Sequence, residues 1–221
     1  MRAAVQRDLF AEDAPVLPEG VTVFRGRVSD DEIGEVLDAM LGVLDAAPPY
    51  RPQMRTGAYV INALTNCGAW GWHSDAKGYR YVDRHPVSGE AWPPIPEVVA
   101  RIARAAAAEC GEPAFEPDAC LVNLYAPGAK LNLHQDHDET DFRWPIVSFS
   151  FGSDAVFVAG GQARRDPVTP VTLSHGDVMV MHGPGRLMFH GVTKIIAHTS
   201  PTDHPSIPPA GRLNLTLRRA K

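Results

Sequence analysis

The spacing of apolar positions changes partway along the chain. Early on, Ile33, Val36, Leu37, Met40, Leu41 and Leu44 fall at i, i+3, i+4, i+7, i+8 and i+11, one face of an amphipathic helix. Ser29 and Glu32 make a capping box at its start, and Pro48-Pro49 ends it. Val21 to Phe24, just before, reads as a short strand. A second helix is expected from the prolines of Trp92-Pro93-Pro94-Ile95-Pro96, with Ile95, Val98, Val99, Ile102 and Ala106 on one face and Gly111 as its stop. Beyond Pro117 the chain turns to strand. Runs at 120–125, 130–136, 145–152, 155–159, 168–173, 177–181, 187–192 and 212–218 are short and separated by turn residues such as Pro127-Gly128 and Gly160-Gly161. Strands in succession with no helix between them, after two helices, indicate an α+β protein built on a sandwich or jelly roll.

Residues 50–92 follow neither period. Two short strands are plausible there, with much loop. Trp70, Trp72, Tyr79 and Tyr81 give this stretch flat surface, suited equally to stacking on a ring or to filling core. A long irregular segment of this kind is often a binding lid. No linker or fixed-period repeat splits the chain, so one domain is expected. Residues 1–20 read as an N-terminal arm, 21–117 as helices and lid, and 118–221 as the core.

Composition narrows the picture a little. The 221 residues are 44% apolar and 21% charged, ordinary for a globular protein. A formal charge of −5 argues against coating nucleic acid by charge alone, but leaves room for a local patch, with Lys77, Arg80 and Arg84 or Arg164-Arg165 as candidates. Three widely spaced cysteines, no secretory leader and no membrane-length apolar run point to reduced thiols in the cytoplasm.

Candidate chemistry centres on His134-Gln135-Asp136. On a strand, residues i and i+2 leave the same face, so His134 and Asp136 would project together. That is two-thirds of the two-His, one-carboxylate set that holds non-haem Fe(II) with open positions. Such a pair alone is usually surface. His190, polar in the apolar run 187–192, is a candidate third ligand, although a backbone carbonyl would satisfy it as well. The last strand, RLNLTLR, puts Arg212, Asn214, Thr216 and Arg218 on one face and three leucines on the other. Solvated charge explains this, and so does a bidentate clamp for a small dicarboxylate.

Taken together these pieces resemble a known family. TNCG (65–68), PDACLVNLYAPGAKLNLHQDHDE (117–139), PIVSFSFG (145–152), HGDV (175–178), FHG (189–191) and RLNLTLR, in this order, closely resemble the AlkB-type oxidative demethylases of alkylated nucleic acid, the bacterial repair branch in particular. The resemblance extends from the DLF near the N-terminus to the last strand. It implies a double-stranded β-helix (jelly roll) with two supporting helices and a nucleotide-recognition lid. His134, Asp136 and His190 would then ligate Fe(II). Arg212, with Tyr125 and Asn214, would hold the distal carboxylate of 2-oxoglutarate, Arg218 would lie by its keto-acid carboxylate and Asp136, and Asn123 would also line the cosubstrate pocket. A flipped base would sit between Trp72 and His134, with Asp138 at its exocyclic amine and Tyr79 and Arg164 beside it.

The implied reaction is DNA alkylation repair. Bases of the 1-methyladenine and 3-methylcytosine type in single-stranded DNA would lose the methyl as formaldehyde, while O2 and 2-oxoglutarate give succinate and CO2. A monomer with no membrane partner is expected. Two alternatives remain at this point, an oxygenase acting mainly on RNA or another methylated substrate, and a metal-binding jelly roll without turnover. Leu64 and His137 depart from the Met and Lys of the family's best-known bacterial member, and the stretch around 55–61 is one residue shorter, which bears on substrate preference rather than reaction type.

Overall fold

The computed structural model of the protein describes residues 16–221. The DLF motif and most of the expected N-terminal arm lie outside the described residues. Strand β1 (Val21–Phe24) leads into helix α1 (Asp30–Ala46), and β2 (Ala63–Gly68), β3 (Gly71–Asp75) and β4 (Gly78–Val82) follow before helix α2 (Glu97–Glu109). The rest is strand: β5 (Ala119–Tyr125), β6 (Leu131–His134), β7 (Ile146–Gly152), β8 (Ala155–Ala159), β9 (Thr169–Leu173), β10 (Val178–Met181), β11 (His190–Ile195) and β12 (Arg212–Arg218).

Helix α1 begins where its capping box places it. The Glu32 amide donates to Ser29 Oγ at 3.4 Å, and the Ser29 amide donates to Glu32 Oε2 at 3.1 Å. Ser29→Ala should therefore lower unfolding free energy by about 1 kcal/mol, read from urea melts. Gly111, at φ +89°, supplies the left-handed turn after α2.

Two sheets face each other in a jelly roll. One is six-stranded, ordered β1-β10-β7-β12-β5-β2, and the other is four-stranded, ordered β6-β11-β8-β9. Alternation along the strands sorts the side chains between two cores. Leu213, Leu215 and Leu217 of β12, with Val147 and Phe149 of β7, pack against Val36, Met40, Val99 and Ile102 of the helices. The opposite face carries Tyr125, Ile146, Met179 and Met181 toward Phe157, Val171 and Val192 of the smaller sheet.

This arrangement decides how the last strand is used. β12 is paired on both edges, with β5 and β7, and all seven of its residues are buried. Its leucines take the helix side. Its charged residues therefore point between the sheets and not to solvent.

The irregular stretch differs from expectation. It holds three strands, not two, because β2 pairs along β5 and extends the large sheet. Only β3 and β4 stand apart, as a separate two-stranded hairpin. Among the described residues no helix is long and apolar enough to cross a membrane.

Candidate metal and cosubstrate site

His134 is the last residue of β6 and His190 the first of β11, and the two are Cα partners in the ladder. Their rings accordingly lie with centroids 4.4 Å apart. Each ring is oriented by its own backbone. His134 Nδ1 lies 2.8 Å from Asn132 O, and His190 Nδ1 lies 3.1 Å from Met188 O. A carbonyl only accepts, so Nδ1 carries the proton in both rings and Nε2 is the nitrogen left to face Asp136. Gly191 is required by this pairing, since a Cβ there would stand 2.6 Å from Leu131 O.

Asp136 reaches the same point by a different route from the one expected. The strand anticipated over 130–136 ends at His134, so a shared strand face does not carry Asp136. The backbone beyond His134 is bonded to side chains instead. Asp136 O accepts from Arg186 Nη1 at 2.8 Å, and Gln135 O lies 3.0 Å from His137 Nδ1. The strand anticipated over 187–192 likewise starts only at His190, because Leu187 O accepts from Gln135 Nε2 and Met188 O from His190. The outcome is still convergence. Asp136 Oδ1 is 3.6 Å from His134 Nε2, Asp136 Oδ2 is 3.8 Å from His190 Nε2, and the three ligand atoms lie within 4.8 Å of one another.

Charge at this cluster is arranged for metal binding. Burial pushes His190 down to about 4, which keeps its imidazole neutral. Burial alone would raise the Asp136 carboxyl, but the Arg218 guanidinium against it holds it far below the usual carboxylate range. Arg218 donates to Asp136 Oδ2 through Nε at 3.2 Å and Nη2 at 2.5 Å. A neutral His190 imidazole beside an ionised Asp136 carboxylate results.

A cavity of about 720 Å³ opens over the cluster, and every site residue anticipated from the sequence lines it. The register of β5 against β12 sets Tyr125 opposite Arg212 and Asn123 opposite Asn214. Asn214 is locked by Nδ2 bonds to Ser148 Oγ and Phe149 O, and its Oδ1 accepts from Asn123 Nδ2 at 3.3 Å and Thr216 Oγ1 at 3.1 Å. Arg212 is 2% exposed, with Nη2 donating to Ser150 Oγ at 2.9 Å and its guanidinium 5.4 Å from the Tyr125 ring centroid. Its buried Nε has no partner, and among the described residues no carboxylate pairs with it. Burial lowers its affinity for the proton. A buried cation in this state calls for an anion.

The outer wall comes from the β3–β4 hairpin and the loop after β6. Trp72 stacks on Tyr79 at 5.5 Å between centroids, and its Nε1 donates to Asp138 Oδ2 at 2.9 Å. Arg164 lies over the Phe189 ring at 5.3 Å. Trp72 and Tyr79 thus face the cavity, whereas Trp70 and Tyr81 pack with Ala119 and Ala220. The anticipated basic patch is largely spent internally. Arg80 pairs with both oxygens of Asp75 at 2.7 Å, and Arg84 donates to Gly89 O.

Comparison with known proteins decides the family. Residues 20–218 match the 2OG-Fe(II) oxygenase superfamily. The alpha-ketoglutarate-dependent dioxygenase AlkB of Salmonella typhimurium is 43% identical over 217 residues, covering 96% of this chain and 97% of its own length. The AlkB homolog of Caulobacter vibrioides is 41% identical over 222 residues, covering 100% of this chain and 97% of its own. The solved structure of OsALKBH1 superposes with a TM-score of 0.79 over 92% of this chain and 100% of that one, at 32% identity. The chain belongs to the 2OG-Fe(II) oxygenase superfamily. Within it, the chain is an AlkB-type Fe(II)/2-oxoglutarate-dependent dioxygenase.

The residues present fit the oxygenase's cofactors. Cis ligand atoms around a first-row divalent ion stand roughly 3 Å apart. Here one atom from each of the three residues lies within 4.8 Å of the others, and the Asp136 carboxylate meets His134 through Oδ1 at 3.6 Å and His190 through Oδ2 at 3.8 Å. The uncompensated Arg212 fits a carboxylate deep in the same cavity. Two residues of this oxygenase's interior gave no signal in the sequence. Glu139 ends the polar run Asp136-His137-Asp138-Glu139 and Arg186 follows a Gly-Pro-Gly turn, yet both are buried, paired with each other.

Proposed function

We propose that this enzyme repairs alkylated DNA by oxidative demethylation of bases of the 1-methyladenine and 3-methylcytosine type in single-stranded DNA. The observation that carries the reading is one cavity holding a His-Asp-His cluster, an unpaired buried arginine and an aromatic wall. His134 Nε2, Asp136 and His190 Nε2 hold Fe(II). Bound Fe(II) supplies the oxidising chemistry, in which O2 and 2-oxoglutarate are consumed to give succinate and CO2 while the methyl group leaves as formaldehyde.

The chain's own groups do the rest. Arg212, steadied by Tyr125 and Asn214, grips the distal carboxylate of 2-oxoglutarate. Arg218 lies toward the keto-acid end and also fixes one oxygen of Asp136, and Asn123, bonded to Asn214, completes the cosubstrate pocket. The flipped base stacks between Trp72 and the His134 ring, so Tyr79 yields its place on the Trp72 face as the base enters. Asp138, whose Oδ2 is taken by the Trp72 indole, turns Oδ1 to the exocyclic amine. Arg164 lies on the base side of the cavity. Residues 118–221 form the catalytic core and 21–117 its support and lid, in a cytoplasmic monomer.

Oligonucleotides carrying one methylated base, as DNA and as RNA, test this by paired release of succinate and formaldehyde. Methylated single-stranded DNA should be required and preferred. Equal succinate from unmethylated strands contradicts the reading. Trp72→Ala should raise KM for the methylated strand about tenfold or more, the worth of one aromatic–base stack. The KM for 2-oxoglutarate should stay unchanged.

A further inference from the structure

Three buried charged side chains, Glu139, Arg186 and Arg218, form a network with the largely covered Asp136 of the His-Asp-His cluster. The side chains of Arg186 and Glu139 are only 3% and 2% exposed. Arg186 spends all three arms on the loop after β6. Its Nη1 donates to Asp136 O at 2.8 Å, its Nη2 to Glu139 Oε2 at 2.9 Å and its Nε to Trp144 O at 2.9 Å. Glu139 in turn faces Arg218 Nε through Oε1 at 3.3 Å and accepts from Tyr81 Oη on the β3–β4 hairpin at 2.5 Å.

We propose that Glu139 and Arg186 are positioning residues that set the direction of the Asp136 carboxylate and couple it to the hairpin carrying Trp72. The inference rests on the assignment of Asp136 as a metal ligand. Asp136 lies past the end of β6 and has no ladder bond to orient it. Its carbonyl is held by Arg186 and its carboxylate by Arg218, so its geometry comes from these contacts. Glu139 has a second effect. By sharing Arg218, it prevents that cation from engaging Asp136 alone, which leaves Oδ1 directed at the His134 side for the metal. Groups that orient a ligand in this way typically govern metal affinity about 10- to 100-fold.

A purely structural role would look different. Buried ion pairs seldom add net stability over apolar side chains of similar volume, so a well-packed apolar replacement can restore the fold without restoring direction. The triple variant Tyr81→Phe, Glu139→Leu, Arg186→Met makes that replacement and keeps the Asp136–Arg218 pair intact. With Mn(II) alone as the probe, read by electron paramagnetic resonance of the free ion, its affinity should fall about 10- to 100-fold. Its melting point without metal should stay within a few degrees of the parent. Parental Mn(II) affinity in the folded triple variant overturns the proposal. Arg186→Lys gives an independent reading if the triple variant does not fold. It keeps the buried positive charge but loses the forked contacts to Asp136 and Trp144. A tenfold or greater loss of Mn(II) affinity is expected, and an affinity within twofold of the parent overturns the proposal. Asp136→Ala, run alongside, reports on the ligand assignment itself, and none of these measurements depends on a nucleic-acid substrate.

Discussion

His134→Ala and Asp136→Ala are each expected to abolish demethylation, with turnover falling on the order of a thousandfold or more. In the proposed assignment each removes one of the ligands for the ion that supplies the chemistry, and such an ion contributes several kcal/mol to the barrier, about 4 kcal/mol being a thousandfold. The two variants should differ in the fold. The His134 side chain is 34% exposed and its one hydrogen bond is to its own strand, so its loss should leave the melting point nearly unchanged. Asp136, its side chain 11% exposed, pairs with the buried Arg218, and removing one partner of a buried pair costs about 3–5 kcal/mol when nothing else compensates. Glu139 remains beside Arg218 and should hold the loss below that range. Turnover with iron and 2-oxoglutarate, alongside thermal melts of the metal-free proteins, separates the two effects. Activity retained in His134→Ala contradicts the ligand set.

Arg212→Leu is expected to separate cosubstrate binding from stability in the opposite sense. Truncating one partner of a buried charge pair typically costs about 2–5 kcal/mol of binding, so KM for 2-oxoglutarate should rise by about thirtyfold to several thousandfold. The protein without cosubstrate should not be destabilised. In that state Arg212 is a buried cation with one hydrogen bond, an unpartnered Nε and no carboxylate. Exchanging such a charge for an apolar side chain is neutral to stabilising. The melting point without ligand should therefore hold or rise, while the upward shift on adding 2-oxoglutarate disappears. An unchanged 2-oxoglutarate-induced shift would show that Arg212 is not the clamp.

Much of this enzyme was legible where local spacing sets local structure. The capping box at Ser29 and Glu32, the apolar face of α2 and the alternation in β12 each follow from neighbours a few residues apart. The site residues were legible mainly through their motifs, since spacing alone left His190 and the last strand open to bland readings. What was not legible depends on contacts distant in the chain. The turn of Asp136 out of β6 is set by Arg186, fifty residues later, and nothing near Asp136 announces it. Nothing near Glu139 or Arg186 in sequence signals burial, yet the fold buries them against each other. The sorting of RLNLTLR was ambiguous for the same reason. Whether its charges meet solvent or a cavity depends on the second sheet and the helices, which cover both faces of β12.

The most direct measurement is anaerobic addition of Fe(II) and then 2-oxoglutarate to the metal-free protein, watched in visible absorption. A keto acid that chelates iron held by His134, Asp136 and His190 gives a weak charge-transfer band. The band should appear only when both are present. It should be absent in Asp136→Ala, and in Arg212→Leu it should require far more 2-oxoglutarate. No band from the parent protein, or an undiminished band from Asp136→Ala, would contradict a single iron and cosubstrate centre in this cavity.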